Sequence, residues 1–313
     1  MPLTHGTELL RRTAHRSFWQ SFETTPDQTT SITFRASSDS DQETYPFLSA
    51  APSPIEMAGE RTHKAVPQIS YAIKNKKWES TVNISYEMLR FNKIEQVAAL
   101  SAELGQKARI YPANIISGTL MNSGSSTAGP DTQNFYDTDH TDPGADFQTS
   151  GDNDRTTAIV AATAPTDIEF AAAVRDGIDQ LIGFKDGQGD PVWVGPNTIW
   201  EVHVPAAYYS VARRVETADS LTGPVGNDLQ GRFTTIFNPY IDAAGTTAAF
   251  YMHNPSGVRK PFVFQTATPT EFDNGIGTDF NKETKDSWIG TFMFGNGGYG
   301  DWRYSLLHTF TTI

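Results

Sequence analysis

The chain has 313 residues, and its 36 acidic and 24 basic side chains give a formal net charge of −12 at pH 7, which argues against a protein that binds nucleic acid by neutralising phosphates. It contains no cysteine, which excludes disulfides, thiolate catalysis and cysteine-ligated metals. Aromatic residues make up 12% of the chain, and 25 glycines with 18 prolines favour a mixed α and β protein with long loops over a helical bundle.

The N-terminal segment, Met1 to Gly6, is polar, and no stretch approaches the roughly 18 apolar residues of a membrane span. We therefore expect neither a signal peptide nor a membrane-embedded protein. Apolar residues recur at near-helical spacing from Thr7 to Phe22, which predicts an amphipathic helix that packs on its own domain or docks on a neighbour or scaffold. Thr24 to Gln42 is polar and predicts an extended arm, with one strand near Ile32 to Arg35.

Gln68 to Tyr86 predicts an extended hairpin, because two runs of alternating side chains flank the basic segment Lys74 to Lys77. A two-stranded ribbon is marginal in water unless another surface covers its apolar face, so we expect a partner to cover it. The basic tip is expected to meet carboxylates of another copy, or water, rather than nucleic acid. The residues predicted to make this contact are Tyr71, Ile73, Lys74, Lys76, Lys77, Trp78, Val82 and Ile84.

The segment after the hairpin predicts a long helix from Met88 to Leu120, kinked near Pro112, and then an exposed polar loop from Asn122 to Asp154. The run Thr166 to Glu169 is a capping box that opens the next helix. A strand is predicted from Thr198 to Val204, followed by a helix from Pro205 through Ala218.

The C-terminal part predicts short strands and a terminal hairpin. The run Gly295 to Gly300 satisfies G-x-G-x-x-G, but only thirteen residues follow it, too few for the helix and strand of a dinucleotide site. We therefore interpret it as a hairpin turn. The predicted strands are Phe233 to Phe237, Ala248 to His253, Pro261 to Thr266, Ser287 to Phe294 and Asp301 to Phe310.

One cluster of side chains has the types that bind metals. Asp137, Asp139 and His140 lie within four residues of each other, and Asp142 adds a further oxygen donor. The cluster is either a structural loop or a metal site, and the second interpretation predicts a metal-dependent hydrolase. No motif of a nucleophile, a zinc protease or a phosphate-binding loop is present, so we expect no cofactor and no catalytic residue.

Several motifs in this order resemble those of the Mu-like phage major head subunit family, and the resemblance extends over roughly Tyr45 to Leu306. The motifs are Tyr45 to Leu48, Gly59 to Arg61, Tyr71 to Glu79, Phe135 to His140, Lys260 to Gln265 and Gly298 to Arg303.

The resemblance implies an α+β protein with the tailed-phage major capsid fold. This fold has an N-terminal arm, an extended β-hairpin called the E-loop, a peripheral domain with a long spine helix, and an axial domain. The expected boundaries are 1–50 for the arm, 51–87 for the E-loop, 88–165 for the peripheral domain, 166–254 for the axial domain, and 255–313 for strands that return to the peripheral domain.

The resemblance also implies a structural function without catalysis. The chain is expected to form hexamers and pentamers of an icosahedral shell around double-stranded DNA, together with scaffold, portal and decoration proteins, in a virion that is assembled in the host cytoplasm. DNA would be only a non-specific neighbour, and no membrane is involved. Trp78→Ala is then expected to leave a folded subunit and to impair assembly. The alternatives are the hydrolase centred on Asp137, Asp139 and His140, and a tail or decoration protein of the same virion.

Overall fold

The computed structural model describes residues 4–48, 54, 56–57, 59, 68–91, 93–141, 151–222, 225–243, 248–276 and 286–313. Within these ranges the two largest β-sheets have four and five strands, and buried side chains of helices, strands and loops pack around them. None of the described helices is both long and apolar enough to cross a lipid bilayer.

The first sheet contains two long strands at its centre. The strand at one edge pairs in parallel with its neighbour, and the other neighbouring strands pair antiparallel. The strands, in spatial order, are β1 (Thr33–Ser37), β11 (Phe262–Asn274), β12 (Ser287–Tyr299) and β4 (Lys76–Ile84). The predicted strands near Ile32 and at Pro261 to Thr266 both belong to this sheet, and β11 continues eight residues beyond the predicted end.

Helix α1 (Thr4–Thr24) packs against helix α3 (Ile94–Asn114) within the same subunit. Leu10, Ala14 and Phe18 are buried on the inner side of α1, which matches the predicted amphipathic pattern. Of the two interpretations of this helix, the structure supports packing on its own domain.

The predicted helix from Met88 to Leu120 is divided into three parts. A short helix α2 (Tyr86–Arg90) is capped at its N-terminus by Ser85, whose hydroxyl accepts a hydrogen bond from the Met88 amide. Just after the helix ends, the Lys93 N–H donates to the Met88 carbonyl. Helix α3 follows, and its last turn passes into a π-helical segment (Ile115–Met121). Pro112 lies inside α3 and has no amide hydrogen to donate, which explains the widened helix beyond it.

The second sheet lies beside helices α4 (Asp167–Gly183) and α5 (Ala206–Thr217). Thr166 and Glu169 form the predicted capping box at the start of α4, and Pro205 is the residue before α5. The strands, in spatial order, are β5 (Asp154–Ile159), β13 (Ser305–Thr312), β10 (Ala249–His253), β6 (Trp200–Val204) and β9 (Phe233–Phe237).

The smaller elements connect these layers. Strands β2 (Gln42–Leu48) and β3 (Gln68–Lys74) form a two-stranded ribbon, and β7 (Ser220–Thr222) pairs with β8 (Val225–Gly226). Helix α6 (Pro239–Ala243) follows β9, and a 3₁₀ turn (Trp302–Tyr304) precedes β13.

The predicted hairpin from Gln68 to Tyr86 is wrong in its pairing. β3 pairs with β2 and β4 pairs with β12, although the alternation places both strands correctly. Only Asn75 separates β3 from β4, and one residue is too short for the common hairpin loops, which have two or more. The chain therefore passes from the ribbon into the first sheet without reversing its direction.

The predicted terminal hairpin is also wrong. β12 continues through the glycines to Tyr299, and β13 belongs to the second sheet. A side chain at Gly298 would collide with Ile73, and one at Gly297 would crowd Ile115 and Leu120, so these glycines allow close packing instead of a turn. β13 pairs with β5 and β10 of the second sheet. Residues 255–313 therefore do not all return to the first sheet.

Candidate functional site

The eight residues predicted to contact a partner are divided between the ribbon and the first sheet. Their apolar members are covered largely by the subunit itself: Ile73 is 3% exposed, and Ile84 is 0% exposed in a cluster with Leu10 and Phe18 of α1. The expectation that this apolar face requires a partner is therefore wrong for these two residues. Tyr71, Ile73 and Lys74 lie in β3, and Lys76, Lys77, Trp78, Val82 and Ile84 lie in β4.

Trp78 is partly buried against helix α3. Its indole N–H donates to the Gly295 carbonyl at 2.8 Å, and its ring centre lies 5.0 Å from that of Tyr111. Its remaining surface lines a cleft of about 420 Å³ between α3 and the first sheet, together with Tyr240 and Phe292. Trp78 thus contributes to the subunit's own packing, and a contact between its exposed surface and another copy stays a prediction.

The three lysines of the predicted tip lie where the ribbon meets the first sheet. Lys74, Lys76 and Lys77 are exposed, and the Lys74 ammonium lies 3.7 Å from the Asp41 carboxylate. The Lys76 ammonium lies 6.0 Å from the centre of the Trp78 ring. Such exposed contacts contribute little to folding, and these lysines keep solvent-accessible charges. Their contact with carboxylates of another copy stays a prediction.

The ribbon of β2 and β3 is held across the first sheet at its base. The Tyr45 hydroxyl donates to Gln265 Oε1 at 3.0 Å, and the Tyr299 amide donates to the Tyr71 hydroxyl at 3.4 Å. Pairing continues outward from Gln42 and Lys74 to Leu48 and Gln68. Beyond those strand ends the connection, residues 49–67, lies mostly outside the described residues, and it includes the Gly59 to Arg61 motif.

The structure does not bring Asp137, Asp139 and His140 together as ligands. His140 is fully buried, with Nδ1 2.6 Å from Asp131 Oδ2 and Nε2 3.1 Å from Asn153 Oδ1, and its ring stacks on Trp302 at 4.1 Å. Asp139 is exposed, and the Asp137 amide donates to Asn153. Asp142 lies outside the described residues, and within them no three His, Asp or Glu side chains are arranged to hold a metal ion. The arrangement supports the structural-loop interpretation.

Three further histidines are buried in the second sheet. The ring centres of His203 and His253 are 4.9 Å apart, and His203 Nε2 lies 3.8 Å from the Glu201 carboxylate. Burial, with the nearby His203, holds the pKa of His253 well below its usual value. Burial also lowers the pKa of His308 to about 4, although Asp176 opposes the shift. His253 and His308 are therefore packed as neutral rings, which suits a structural role better than proton transfer.

Sequence reasoning missed one buried polar residue of this region, Asn75. It was interpreted as part of a solvated tip, yet it is 3% exposed and lies at the junction of ribbon and sheet. The sequence signal that points to it is its position two residues after Ile73, because Asn75 continues the inward-facing alternate positions of Ile69, Tyr71 and Ile73.

Comparison with known proteins gives matches over both sequence and fold. A family model described as Mu-like prophage major head subunit gpT matches residues 7–167, just over half of the chain. The Mu-like prophage FluMu major head subunit of Haemophilus influenzae is 32% identical over 125 residues, and the major capsid protein of Escherichia phage Mu is 30% identical over 125 residues. These matches cover 40% of this chain and only 40% and 41% of the length of the two relatives.

The fold is similar to that of a chain in the procapsid of bacteriophage JBD30. The TM-score is 0.57 at 18% identity, over 96% of this chain and 74% of that chain. At this identity the similarity shows the fold alone. It confirms the predicted α+β tailed-phage major capsid fold, and the family match confirms the resemblance inferred from the motifs.

Proposed function

Because the chain belongs to the family of Mu-like prophage major head subunits, we propose that it is the major capsid protein of a tailed bacteriophage. The observation that carries this proposal is the family match over residues 7–167 joined to a capsid-like fold over nearly the whole chain. The subunit assembles into hexamers and pentamers, which close into an icosahedral shell around double-stranded DNA.

The E-loop of this subunit corresponds to the ribbon and its connection, residues 42–74, in place of the expected 51–87. β4 is excluded because it pairs with β12 as part of the first sheet. The first sheet with helix α3 corresponds to the peripheral domain, and the second sheet with α4 and α5 corresponds to the axial domain. The arm is short, because α1 already packs on α3.

Assembly proceeds through contacts between copies, and the chain performs no chemistry. The exposed Lys74, Lys76 and Lys77 meet carboxylates of a neighbouring copy and favour one register of the contact. The net charge of −12 suits a container that must not hold its DNA tightly, since repulsion keeps the packaged phosphates mobile. Scaffold, portal and decoration proteins are the further partners, and the protein resides in the virion after assembly in the host cytoplasm.

Negative-stain electron microscopy of the concentrated protein, alone and co-expressed with its scaffold, tests this proposal. Closed shells of uniform diameter are expected. A compact monomer under every condition would contradict the proposal, and trimers or tubes would instead favour a decoration or tail protein. Elemental analysis of the same sample provides the control for the hydrolase alternative, which requires stoichiometric metal that is lost in Asp137→Ala.

A further inference from the structure

The junction between β3 and β4 contains a buried cluster of hydrogen-bonded polar side chains. Asn75, between β3 and β4, is 3% exposed, and Gln265, in β11 of the first sheet, is 0% exposed. Buried amides without partners are costly, so each hydrogen bond of such a cluster constrains the groups around it.

Asn75 connects the junction to the turn that precedes the ribbon. Its side-chain Nδ2 donates to the Ser38 hydroxyl and to the Ser40 carbonyl, both at 2.8 Å. Its backbone amide donates to the Asp41 carbonyl at 2.8 Å. A single residue therefore holds the end of β3 against the four-residue turn, residues 38–41, from which β2 begins.

Gln265 connects the same junction to the central strand β11. Its Nε2 donates to the Ile73 carbonyl at 2.9 Å and to Asn75 Oδ1 at 2.8 Å, and its Oε1 accepts from the Tyr45 hydroxyl at 3.0 Å. Each amide donates to a backbone carbonyl, and a carbonyl oxygen can only accept a hydrogen bond. Exchanging the amide nitrogen and oxygen would therefore break these bonds, so each amide has one orientation that satisfies all of them. Both strands of the ribbon are thus bound to one buried side chain.

This arrangement differs from the apolar contacts nearby because it depends on direction. Apolar packing allows small rotations of a ribbon at little cost, whereas hydrogen bonds weaken steeply when their angles change. A rotation of the ribbon about Asn75 would break several of these bonds together and leave buried polar atoms unpaired.

We propose that Asn75 and Gln265 form a clamp that sets the angle at which the ribbon leaves the first sheet. Its consequence for assembly rests on the proposed function: a ribbon held at one angle reaches one place on a neighbouring copy, and shells then close with one curvature. The clamp itself is a property of the single subunit and is measurable without assembly.

Pulsed electron paramagnetic resonance reports on this angle through the distance between one spin label on the ribbon and one on the first sheet. The chain has no cysteine, so Ser70→Cys and Ser80→Cys introduce two spin-label sites, both exposed and each five residues from Asn75. Labelled protein is diluted into unlabelled protein so that only distances within one subunit are observed. A single narrow distance distribution is expected, and a broad one in this otherwise unchanged chain would overturn the clamp.

The double variant Asn75→Leu with Gln265→Met replaces both amides by apolar groups of similar size. Because Asn75 and Gln265 bond to each other, changing both leaves neither amide without the other as its partner. The distribution is expected to lose its single narrow maximum. Asn83→Leu is the matched control, because Asn83 is an exposed amide of β4 outside the cluster, and it is expected to keep the narrow distribution. A narrow, unshifted distribution in the double variant would overturn the clamp.

Tyr45→Phe provides the test if the double variant fails to fold, since it removes one hydroxyl from Gln265 and leaves the ring. A broader distribution than in the control is expected, and an unchanged one would count against the clamp. Microscopy of the double variant then tests the consequence: mixed or open shells support it, whereas uniform shells overturn it. Absence of shells from the unchanged protein would contradict the proposed function and leave the distance measurement to decide on the clamp.

Discussion

Trp78 is the residue whose expected role the structure changes most. Its indole bonds to the Gly295 carbonyl and packs on Tyr111, so its removal takes contacts out of the subunit itself. Trp78→Ala is expected to lower the free energy of unfolding by about 2 kcal/mol, below the roughly 3–5 kcal/mol of a fully buried tryptophan. Denaturant unfolding followed by circular dichroism measures this change.

Trp193→Ala is the matched control for that experiment. Trp193 is 64% exposed, and its replacement is expected to change the free energy of unfolding by less than about 0.5 kcal/mol. Equal unfolding curves for Trp78→Ala and the unchanged protein would restore the original expectation, in which Trp78 acts only between subunits.

Single residues were predictable where their chemistry is local. Thr166 and Glu169 cap α4 as expected, because a capping box needs only four consecutive residues. His140 was recognised as a residue of special type, but its partner Trp302 lies far away in the sequence. Asn75 was misjudged for the same reason, since its burial depends on Gln265. A sequence identifies such residues more readily than it identifies the contacts that define their role.

The packing of α1 on α3 depends on a position without a side chain. A Cβ atom at Gly105 would collide with the backbone carbonyl of Phe18, which cannot move without shifting α1. Alanine favours a helix interior over glycine by about 1 kcal/mol, yet overpacking typically costs about 1–3 kcal/mol. Gly105→Ala is therefore expected to destabilise the subunit, as measured by the midpoint of thermal unfolding.

Gly183→Ala is the control with the opposite expectation. Gly183 ends α4 with a φ outside the left-handed region. Apart from its chain neighbours and the backbone of its own helix, no atom of the described residues lies within 4 Å of an added Cβ, so alanine is expected to be neutral or to stabilise by up to about 1 kcal/mol. A stabilised Gly105→Ala variant would show that the two helices are not in close contact.

Elements were easier to predict than their partners. Period-two alternation placed β3 and β4, because a strand with one buried face shows this pattern whatever it pairs with. Pairing depends on residues far away in the chain: β4 joins β12 across some 200 positions, and the glycines of β12 carry no alternation that would reveal a strand. For the same reason, the sequence did not reveal that β13 belongs to the second sheet.

At the scale of the whole molecule, the second sheet contains two buried neutral histidines, His253 and His308. Their burial makes folding sensitive to acid. The pKa of His308 is lowered to about 4, and that of His253 lies well below its usual value, while in the unfolded chain both are near 6.5. Between these values the unfolded chain binds more protons than the folded one. The stability contributed by the neutral rings is therefore complete above about pH 6.5 and is lost as the pH falls toward 4.

The free energy of unfolding is accordingly expected to fall between pH 7 and pH 5, with a limiting slope of about 1.4 kcal/mol per pH unit for each extra proton taken up on unfolding. His253→Phe tests the assignment, because neither ring nitrogen of His253 has a hydrogen-bond partner and phenylalanine cannot take up a proton. In urea titrations repeated at each pH, the free energy of unfolding of the variant is expected to change less steeply with pH, by the contribution of about one proton. An identical slope would place the acid sensitivity elsewhere, whereas a shallower slope would identify this histidine as one cause of the acid sensitivity of the subunit.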